Sequence, residues 1–301
     1  MSPTSKKWIG AGASLFLLIL GGWLFFFSAE PIPTETIPVA IPAEVVAPEV
    51  VVEKIKTIGY SVEGRAIETY TYGTGSTTLL FVGGVHGGYE WNSTLLAYEF
   101  IDNLENNSVT VPENISVIII PTLNPDGLFS VIQKEGRFTT TEIPKNNAHQ
   151  TGAGRFNSNE VDLNRNFDCK WAPTSSWRGK TVGAGSSAFS EPEAQALRNL
   201  VTEKNPSAVI FWHSQANAVY ASECEEGILP GTLTLMQEYA RASDYTPVSV
   251  FDAYPITGDA EGWLASIGIP AITVELETRT ESEWERNQKA IEAILKTYTS
   301  L

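Results

Sequence analysis

The chain after residue 53 is predicted to adopt an α/β fold, in which helices cover both faces of a central sheet. Short apolar runs that are typical of buried strands alternate there with longer segments of helical spacing. A segment of about 250 residues fits one large domain. The chain is 43% hydrophobic and contains eight tryptophans, which supplies a sizeable core. In a sheet of this kind, function is expected at the ends of the strands.

Six apolar runs are predicted as strands and five segments as helices. The clearest helix start is at Glu191, which lies between Ser190 and Pro192, because proline is favoured in the first turn. The irregular segment 124–188 is too long for an idle connection and is interpreted as a functional loop. The predicted strands are 66–72, 78–82, 115–121, 208–212, 248–251 and 271–276, and the predicted helices are 93–103, 191–203, 233–242, 260–267 and 282–299.

Residues 1–28 are predicted to form a cytoplasmic tip and a transmembrane signal anchor. Residues 8–27 carry no charge and are long enough to cross the hydrocarbon core as a helix. Lys6 and Lys7 favour a cytoplasmic amino terminus, which places the rest of the chain outside. A cleaved signal peptide is the alternative, although the phenylalanines at 25–27 precede a poor cleavage site. We expect a single-pass protein of the cell membrane with an extracytoplasmic domain.

Residues 29–53 are predicted to be a proline-rich linker. Five prolines in this stretch exclude a helix and favour an extended, solvated spacer. Residues 54–301 are then the folded domain. The formal net charge of −15 argues against nucleic acid and against anionic membrane surfaces as partners.

Histidine is scarce in this chain, and two of the three histidines follow predicted strands. The strand 78–82 ends at two glycines and is followed by His86 and Glu90, and His213 follows the apolar run that ends at Trp212. Two histidines and one glutamate form the three-ligand set of a catalytic zinc, with a fourth position open. His149 lies in a polar loop without a partner motif and is interpreted as a bystander.

The long loop contains two arginines among glycine, asparagine and serine. Arg155 and Arg165 have few acidic residues near them in the sequence. Arginine is suited to gripping a carboxylate through two hydrogen bonds or to polarising an oxyanion. A solvated arginine is the alternative for each of them.

Several further motifs occur in a fixed order across the domain. Because of these motifs, the chain from about residue 54 to its end resembles the zinc carboxypeptidase family, which comprises the metallocarboxypeptidases related to carboxypeptidase A. The resemblance implies a three-layer α/β/α sandwich with a mixed, largely parallel central sheet. The matching motifs are Gly59-Tyr60-Ser61-Val62-Glu63-Gly64-Arg65, His86 with Glu90-Trp91, Asn124-Pro125-Asp126-Gly127, Asp162-Leu163-Asn164-Arg165-Asn166-Phe167, Ser190-Glu191-Pro192-Glu193, His213-Ser214-Gln215, Tyr254 and Thr273-Val274-Glu275-Leu276.

The resemblance also implies a role for each matching residue. His86, Glu90 and His213 would bind one Zn²⁺ per chain. Asp162 would orient the His86 ring, and Arg155 would polarise the scissile carbonyl. Glu275 would act as the general base. Its neighbour Glu277 is the competing candidate, because alternation puts both on one face of a strand. The residues that would hold the terminal carboxylate of the substrate are Asn164, Arg165 and Tyr254.

Two departures from the family pattern concern geometry and specificity. Three residues separate His86 from Glu90 where most relatives have two, and Tyr89 stands where digestive relatives carry arginine. Glu261 falls where relatives that cleave basic residues carry an acid, which predicts a preference for a C-terminal basic or amine-bearing residue such as diaminopimelate. Alternation of helix faces could instead point Glu261 to solvent, or Asp259 could serve this role.

Cys169 and Cys224 are predicted to form a disulfide, because an extracytoplasmic domain lies in an oxidising compartment. Two unpaired buried thiols are the alternative.

The sequence thus predicts a monomeric zinc metallocarboxypeptidase that hydrolyses the C-terminal peptide bond of peptides with a free carboxylate. One alternative is an amidase or deacylase of the same fold that acts on cell-wall peptides or N-acyl amino acids. A binding module without activity is the other alternative, but it would require the loss of a ligand or of the base, and both are present.

Overall fold

The computed structural model describes residues 54–145 and 152–300. The predicted transmembrane helix, the predicted linker and His149 lie outside the described residues. Within the described ranges, no helix is long and apolar enough to cross a membrane.

A mixed eight-stranded sheet forms the centre of the domain, in the order β1-β2-β4-β3-β7-β10-β8-β9. Its central strands, β4, β3, β7 and β10, run parallel, and antiparallel pairs join them to the strands on either side. Strands β5 and β6 form a separate antiparallel hairpin. The strands are β1 (Ile55–Tyr60), β2 (Ala66–Tyr72), β3 (Thr77–Val82), β4 (Ile115–Ile120), β5 (Thr174–Trp177), β6 (Lys180–Gly183), β7 (Ala208–Ser214), β8 (Ala218–Ala221), β9 (Thr246–Val248) and β10 (Ala271–Leu276).

Helices cover both faces of this sheet, as predicted. Along β3, Leu79 and Phe81 enter one core with residues of α1, α4 and α6. Leu80 and Val82 enter a second core with residues of α3 and α5. Because side chains alternate between the faces of a strand, these are the two sides of a three-layer sandwich. The helices are α1 (Trp91–Glu105), α2 (Pro125–Ile132), α3 (Pro192–Lys204), α4 (Pro230–Ser243), α5 (Ala260–Ser266) and α6 (Trp284–Thr299).

The predicted elements agree with this architecture, with one displaced strand and several omissions. The strand predicted at 248–251 is wrong in position, because the chain pairs with β8 through Thr246–Val248 and has left the sheet by Phe251. Strand β1, the short strand β8, the β5–β6 hairpin and helix α2 were not predicted. The segment 124–127, predicted as the beginning of the irregular loop, is instead a helix start: the Asn124 side chain accepts a hydrogen bond from the Gly127 backbone at 2.8 Å, and Pro125 follows.

The parallel strands bring distant residues to one edge of the sheet. His86 follows the carboxyl end of β3, and His213 lies near the carboxyl end of its parallel neighbour β7. Glu275 lies beside His213 in the register of β10 and β7.

A disulfide joins Cys169 and Cys224, which confirms the predicted pairing. It connects the long loop to the segment after β8, near the same edge. Cys169 lies four residues after the short 3-10 turn Leu163–Arg165, and Cys224 lies three residues after β8. The disulfide therefore joins this part of the long loop covalently to the chain that leaves the sheet.

Candidate active site

Three buried side chains converge at this edge: His86, Glu90 and His213. Nδ1 of His213 lies 3.1 Å from Nδ1 of His86, and Oε2 of Glu90 lies 3.0 Å from both. Zinc bonds of about 2.0–2.1 Å at tetrahedral angles separate ligand atoms by about 3.3 Å. The three atoms therefore fit a zinc ion, and their chemistry is the two-histidine, one-carboxylate set that zinc prefers.

The extra residue between His86 and Glu90 is accommodated by a short 3-10 turn, Gly87–Glu90. Gly87 has a φ of 42°, and a Cβ there would lie 2.7 Å from the backbone of Gly127. A Cβ on Gly88 would lie 2.5 Å from Val131. Only glycines fit this turn against α2, and the turn returns Glu90 to the two histidines.

A carboxylate lies beside the second ring nitrogen of each histidine. Oδ1 of Asp162 is 3.4 Å from Nε2 of His86, and Oε1 of Glu261 is 3.4 Å from Nε2 of His213. Thr273 donates a hydrogen bond to Glu261 at 3.0 Å. Carboxylates in this position fix the ring orientation of metal-binding histidines, so Nδ1 of each ring faces the site.

The buried charges at the site shift one another's pKa values. Burial opposes ionisation of Glu90, but the adjacent imidazoles lower its pKa well below the usual value. Burial likewise opposes ionisation of Asp162, but Arg155 and His86 lower its pKa well below normal. Burial disfavours the charged form of His213, but Glu261 and Glu90 raise its pKa to about 10. The metal-free site therefore holds a proton that a cation would displace.

Glu275 lines the same cavity as the three metal-site residues. Burial and the charge of Glu90 raise its pKa to about 7, the range that suits a group exchanging protons near neutral pH. Glu277, the competing candidate, is exposed and forms an ion pair of 2.9 Å with Arg286. Of the two, Glu275 has the position that a general base requires.

Arg155 is buried beside the metal-site residues. Its Nη2 and Nε donate to Oδ2 of Asp162 at 2.8 and 3.0 Å, and its Nη1 is 3.8 Å from Oε1 of Glu90. The guanidinium lies over the ring of Trp177, with Cζ 4.7 Å from the ring centroid. The arginine is held in place on several sides, with Nη1 directed towards the site.

Two of the three residues predicted to hold a terminal carboxylate are buried in the cavity wall. Asn164 accepts a hydrogen bond from the backbone of Ala260 at 2.9 Å, which leaves its amide nitrogen for another partner. Arg165 donates to Ser175 through Nε at 3.1 Å. Tyr254 also lines the cavity but is 42% exposed. The structure thus brings Asn164 and Arg165 together and leaves Tyr254 at the solvent-exposed part of the lining.

Two acids lie near each other at the start of α5. Asp259 caps the helix by accepting from the Gly262 backbone at 2.7 Å, and Glu261 lies one position beyond Ala260. Burial and the charge of Glu261 raise the pKa of Asp259 to about 6. Both line the cavity. Glu261, the acid predicted to determine side-chain preference, lies in the cavity lining. It also contacts His213, a contact that the sequence did not indicate.

The cavity has a volume of about 960 Å³, large enough for a peptide fragment. It also contains residues that the sequence analysis missed. Trp177 and Arg178 come from the turn of the β5–β6 hairpin, and Arg279 comes from the segment after β10. No sequence motif marked them, because they reach the cavity from separate surface segments.

The chain is similar in sequence to known zinc carboxypeptidases, which is consistent with a zinc site at this position. A family model described as zinc carboxypeptidase matches residues 48–298. Gamma-D-glutamyl-L-diamino acid endopeptidase 1 of Lysinibacillus sphaericus is 26% identical over 245 residues, which cover 74% of this chain and 60% of that protein. Carboxypeptidase B of Helicoverpa zea is 27% identical over 248 residues, which cover 72% of this chain and 56% of that protein. The chain therefore spans between 56% and 60% of the length of these relatives.

Solved structures share the fold. The murein-tripeptide amidase from Escherichia coli O157 matches with a TM-score of 0.59 and 21% identity, over 81% of this chain and 92% of that chain. The carboxypeptidase A from Helicoverpa armigera matches with a TM-score of 0.63 and 20% identity, over 82% of this chain and 68% of that chain. The family model covers the sheet and every metal-site residue. The chain belongs to the zinc carboxypeptidase family.

Proposed function

We propose that the protein removes a C-terminal residue with an amine-bearing side chain, such as lysine or a diamino acid, from a peptide. The observation that carries this proposal is the position of Asp259 and Glu261 in the cavity that also contains Asn164 and Arg165. The ammonium group of the substrate's last residue would neutralise Asp259 and Glu261. The carboxylate of the same substrate residue would bind Arg165.

The chemistry follows from the positions of the side chains. Arg165 and Asn164 hold the substrate carboxylate, so that the preceding amide carbonyl reaches the metal site. His86, Glu90 and His213 would hold a zinc ion, which would supply Lewis acidity for the carbonyl and for a water molecule. Glu275 accepts a proton from the attacking water and then delivers it to the leaving amine. Arg155 provides a second positive charge for the oxygen of the carbonyl, worth about 3 kcal/mol of barrier for a donor of this kind.

A cell-wall peptide is the second candidate substrate class. Relatives include an enzyme named for a γ-D-glutamyl–L-diamino acid bond and a murein-tripeptide amidase. A diamino acid carries both the carboxylate and the amine that the proposed pocket recognises, so the acidic pair supports this class as well. An acylase for N-acyl amino acids would use the same carboxylate site but would not require Asp259 or Glu261.

A set of peptides that differ only in the last residue tests the proposal. Peptides ending in lysine, diaminopimelate or phenylalanine are incubated with the zinc-loaded protein, with and without a chelator. We expect release of lysine or diaminopimelate and loss of activity on chelation. A preference for phenylalanine would contradict the amine specificity. In R165Q, KM for the lysine peptide should rise by about 10–100-fold, whereas the matched exposed-arginine variant R241Q should match wild type.

We also propose that the domain is held at the outer face of the cell membrane by residues 1–28. The uncharged run 8–27, the lysines before it and the Cys169–Cys224 disulfide support this location. Protease treatment of intact cells should remove the domain. Protection of the domain until the cells are lysed would contradict this topology.

A further inference from the structure

Asn92 is a buried asparagine two positions after Glu90, in the first turn of α1. Its side chain makes three hydrogen bonds to two other segments of the chain. Nδ2 donates to the backbone carbonyls of Thr278 and Glu281 at 2.9 and 3.0 Å, and Oδ1 accepts from the hydroxyl of Ser214 at 3.0 Å. Because a carbonyl accepts and cannot donate, the two carbonyls determine which end of the amide faces them. The side chain of Asn92 therefore has one defined orientation.

One partner of Asn92 is the neighbour of a metal-site residue. Ser214 follows His213 at the end of β7, and Asn92 follows Glu90 at the start of α1. The hydrogen bond between Ser214 and Asn92 therefore ties the strand that carries His213 to the helix start that carries Glu90. Regular strands and helices hold side chains more precisely than loops do. A shift of Ser214 relative to Asn92 would thus move His213 relative to Glu90.

The other two partners of Asn92 belong to the segment after β10. Thr278 and Glu281 lie on either side of Arg279 in the sequence, and Nε and Nη2 of Arg279 donate to the carbonyl of Ser214 at 3.3 and 3.1 Å. Ser214 is held through its hydroxyl by Asn92 and through its carbonyl by Arg279. These hydrogen bonds close a ring from Asn92 to Ser214, to Arg279 and back through the carbonyls beside Arg279. In a buried ring of this kind each contact restrains the others, so loss of Asn92 would loosen Ser214.

We propose that Asn92 is a positioning residue of the metal site, which sets the position of His213 relative to Glu90 through Ser214. Asn92 does not line the cavity, so it acts on the metal site through the backbone and not through contact with substrate. This role does not depend on which peptide the protein cleaves, because it concerns metal binding. A buried amide that only stabilises the fold is the alternative. That alternative predicts a loss of stability without a change in zinc affinity.

A second buried asparagine provides a matched control. Asn287 has the same burial as Asn92 and also uses both ends of its amide in hydrogen bonds. Its partners are Tyr239, Tyr245, Ser282 and Glu283. None of these partners precedes or follows a metal-site residue in the sequence. Both N92A and N287A should therefore lower the midpoint of urea unfolding, since each removes a buried hydrogen-bonded amide.

Zinc affinity distinguishes positioning of the metal site from support of the fold. It is measured on the folded protein, without urea or substrate, by competition with a chromogenic chelator. The dissociation constant for zinc should rise about tenfold in N92A, the effect of losing one or two hydrogen bonds, and should equal that of wild type in N287A. The visible absorption bands of the cobalt-loaded protein depend on ligand geometry, so they should shift in N92A and not in N287A. Unchanged zinc affinity in N92A, or an equal loss in N287A, would overturn the proposal.

A double-mutant cycle tests the route through Ser214. S214A removes the hydroxyl that Asn92 accepts from and leaves the carbonyl that Arg279 contacts. Because N92A and S214A break the same hydrogen bond, their effects on zinc affinity should be less than additive in N92A/S214A. The effect of S214A should be the same in the N287A background as in wild type. Fully additive effects of N92A and S214A would overturn the proposal.

S214A also keeps the proposal testable if N92A does not fold. It leaves the amide of Asn92 in place and removes one hydroxyl, so the fold loses less than it does in N92A. S214A alone should weaken zinc binding, and unchanged zinc affinity in this variant would overturn the proposal.

Activity of the wild-type protein separates this inference from the proposed function. If the wild-type protein cleaves lysine peptides but N92A binds zinc like wild type, the role of Asn92 alone is overturned. If the zinc-loaded wild-type protein cleaves none of the peptides, the proposed function is overturned. The zinc affinities of N92A and N287A then still decide the role of Asn92, because they are measured without substrate.

Discussion

The carboxylate of Glu261 lies 3.4 Å from Nε2 of His213, the same distance that separates Asp162 from Nε2 of His86. For each histidine of the metal site, an acidic side chain thus lies next to Nε2, the ring nitrogen that faces away from the metal site. This pairing gives Glu261 a position from which it orients His213, in addition to the proposed contact with a substrate amine. The two roles predict different consequences of the same substitution.

If Glu261 orients His213, E261Q should weaken zinc binding by about 10–100-fold, as loss of such a supporting carboxylate does elsewhere. Competition with a chromogenic chelator measures this affinity without substrate. The matched variant E225Q, at an exposed position, should bind zinc like wild type. Loss of the preference for lysine without any change in zinc affinity would assign Glu261 to substrate recognition alone.

Zinc binding should release a proton and strengthen as the pH rises. The pKa of His213 is raised from 6.5 to about 10 in the metal-free fold, so this proton stabilises the fold fully below pH 6.5, and its contribution is lost as the pH rises through 10. Zinc must displace the proton, so affinity should rise by about tenfold per pH unit between pH 7 and 9. Calorimetry in buffers of different ionisation enthalpy measures the proton count. A pH-independent affinity would contradict this prediction.

Replacing the base should remove activity while leaving the metal site intact. In E275Q we expect kcat/KM to fall by about 10²–10⁴-fold with zinc affinity retained, because only the proton acceptor is lost. The control is E277Q, since Glu277 is exposed and paired with Arg286. Greater loss of activity in E277Q than in E275Q would contradict the assignment.

The activity of the wild-type enzyme should rise with pH along an acid limb. The pKa of Glu275 is about 7 in the metal-free site, and the base is active when deprotonated. A bound cation lowers the pKa of a nearby carboxyl, so the limb should have its midpoint below pH 7. The pH profile of kcat/KM, which reports the free enzyme, measures it. A midpoint well above 7 would contradict Glu275 as the group that titrates.

Reduction of the disulfide should destabilise the domain. Cys169 and Cys224 are separated by 55 positions, and closing a loop of this length typically contributes about 2–4 kcal/mol. Urea unfolding with and without a reductant measures the difference in the free energy of unfolding. The double variant C169A/C224A should match the reduced protein and should not respond to reductant. Equal stability of the oxidised and reduced proteins would contradict a structural role.

Much of the fold followed from local pattern, because the central strands are buried on both faces and therefore read as continuous apolar runs. The run from Ala271 to Leu276 was predicted with its observed bounds. Short or exposed elements lack this signal: β8 has four residues, and the first strand is largely exposed. Helix α2 was missed because asparagine, proline and glycine favour both turns and helix starts, and only tertiary packing decides between them.

The metal-site residues were predicted from the rarity of histidine and from strand ends, whereas their supporting contacts were not. The Glu261–His213 contact joins residues of two elements through side-chain geometry that no sequence spacing encodes. Arg279 was missed for the same reason, since an arginine after a strand reads as an ordinary surface cation. Glu261 and Arg279 are distinguished from ordinary surface charges by their positions in the folded structure, and not by their residue types.

The β5–β6 hairpin contacts both ends of the cavity. Ser175 accepts a hydrogen bond from Arg165 at the carboxylate end. At the other end, Trp177 lies against the Arg155 guanidinium and contacts the Tyr89 ring edge to face. This small ribbon pairs with no strand of the main sheet, and its surface turn can vary more freely than the sheet. A single insertion or substitution in the hairpin would therefore change substrate selectivity on both sides of the cleaved bond. Variation of the hairpin is thus a simple route by which related enzymes could acquire different substrates.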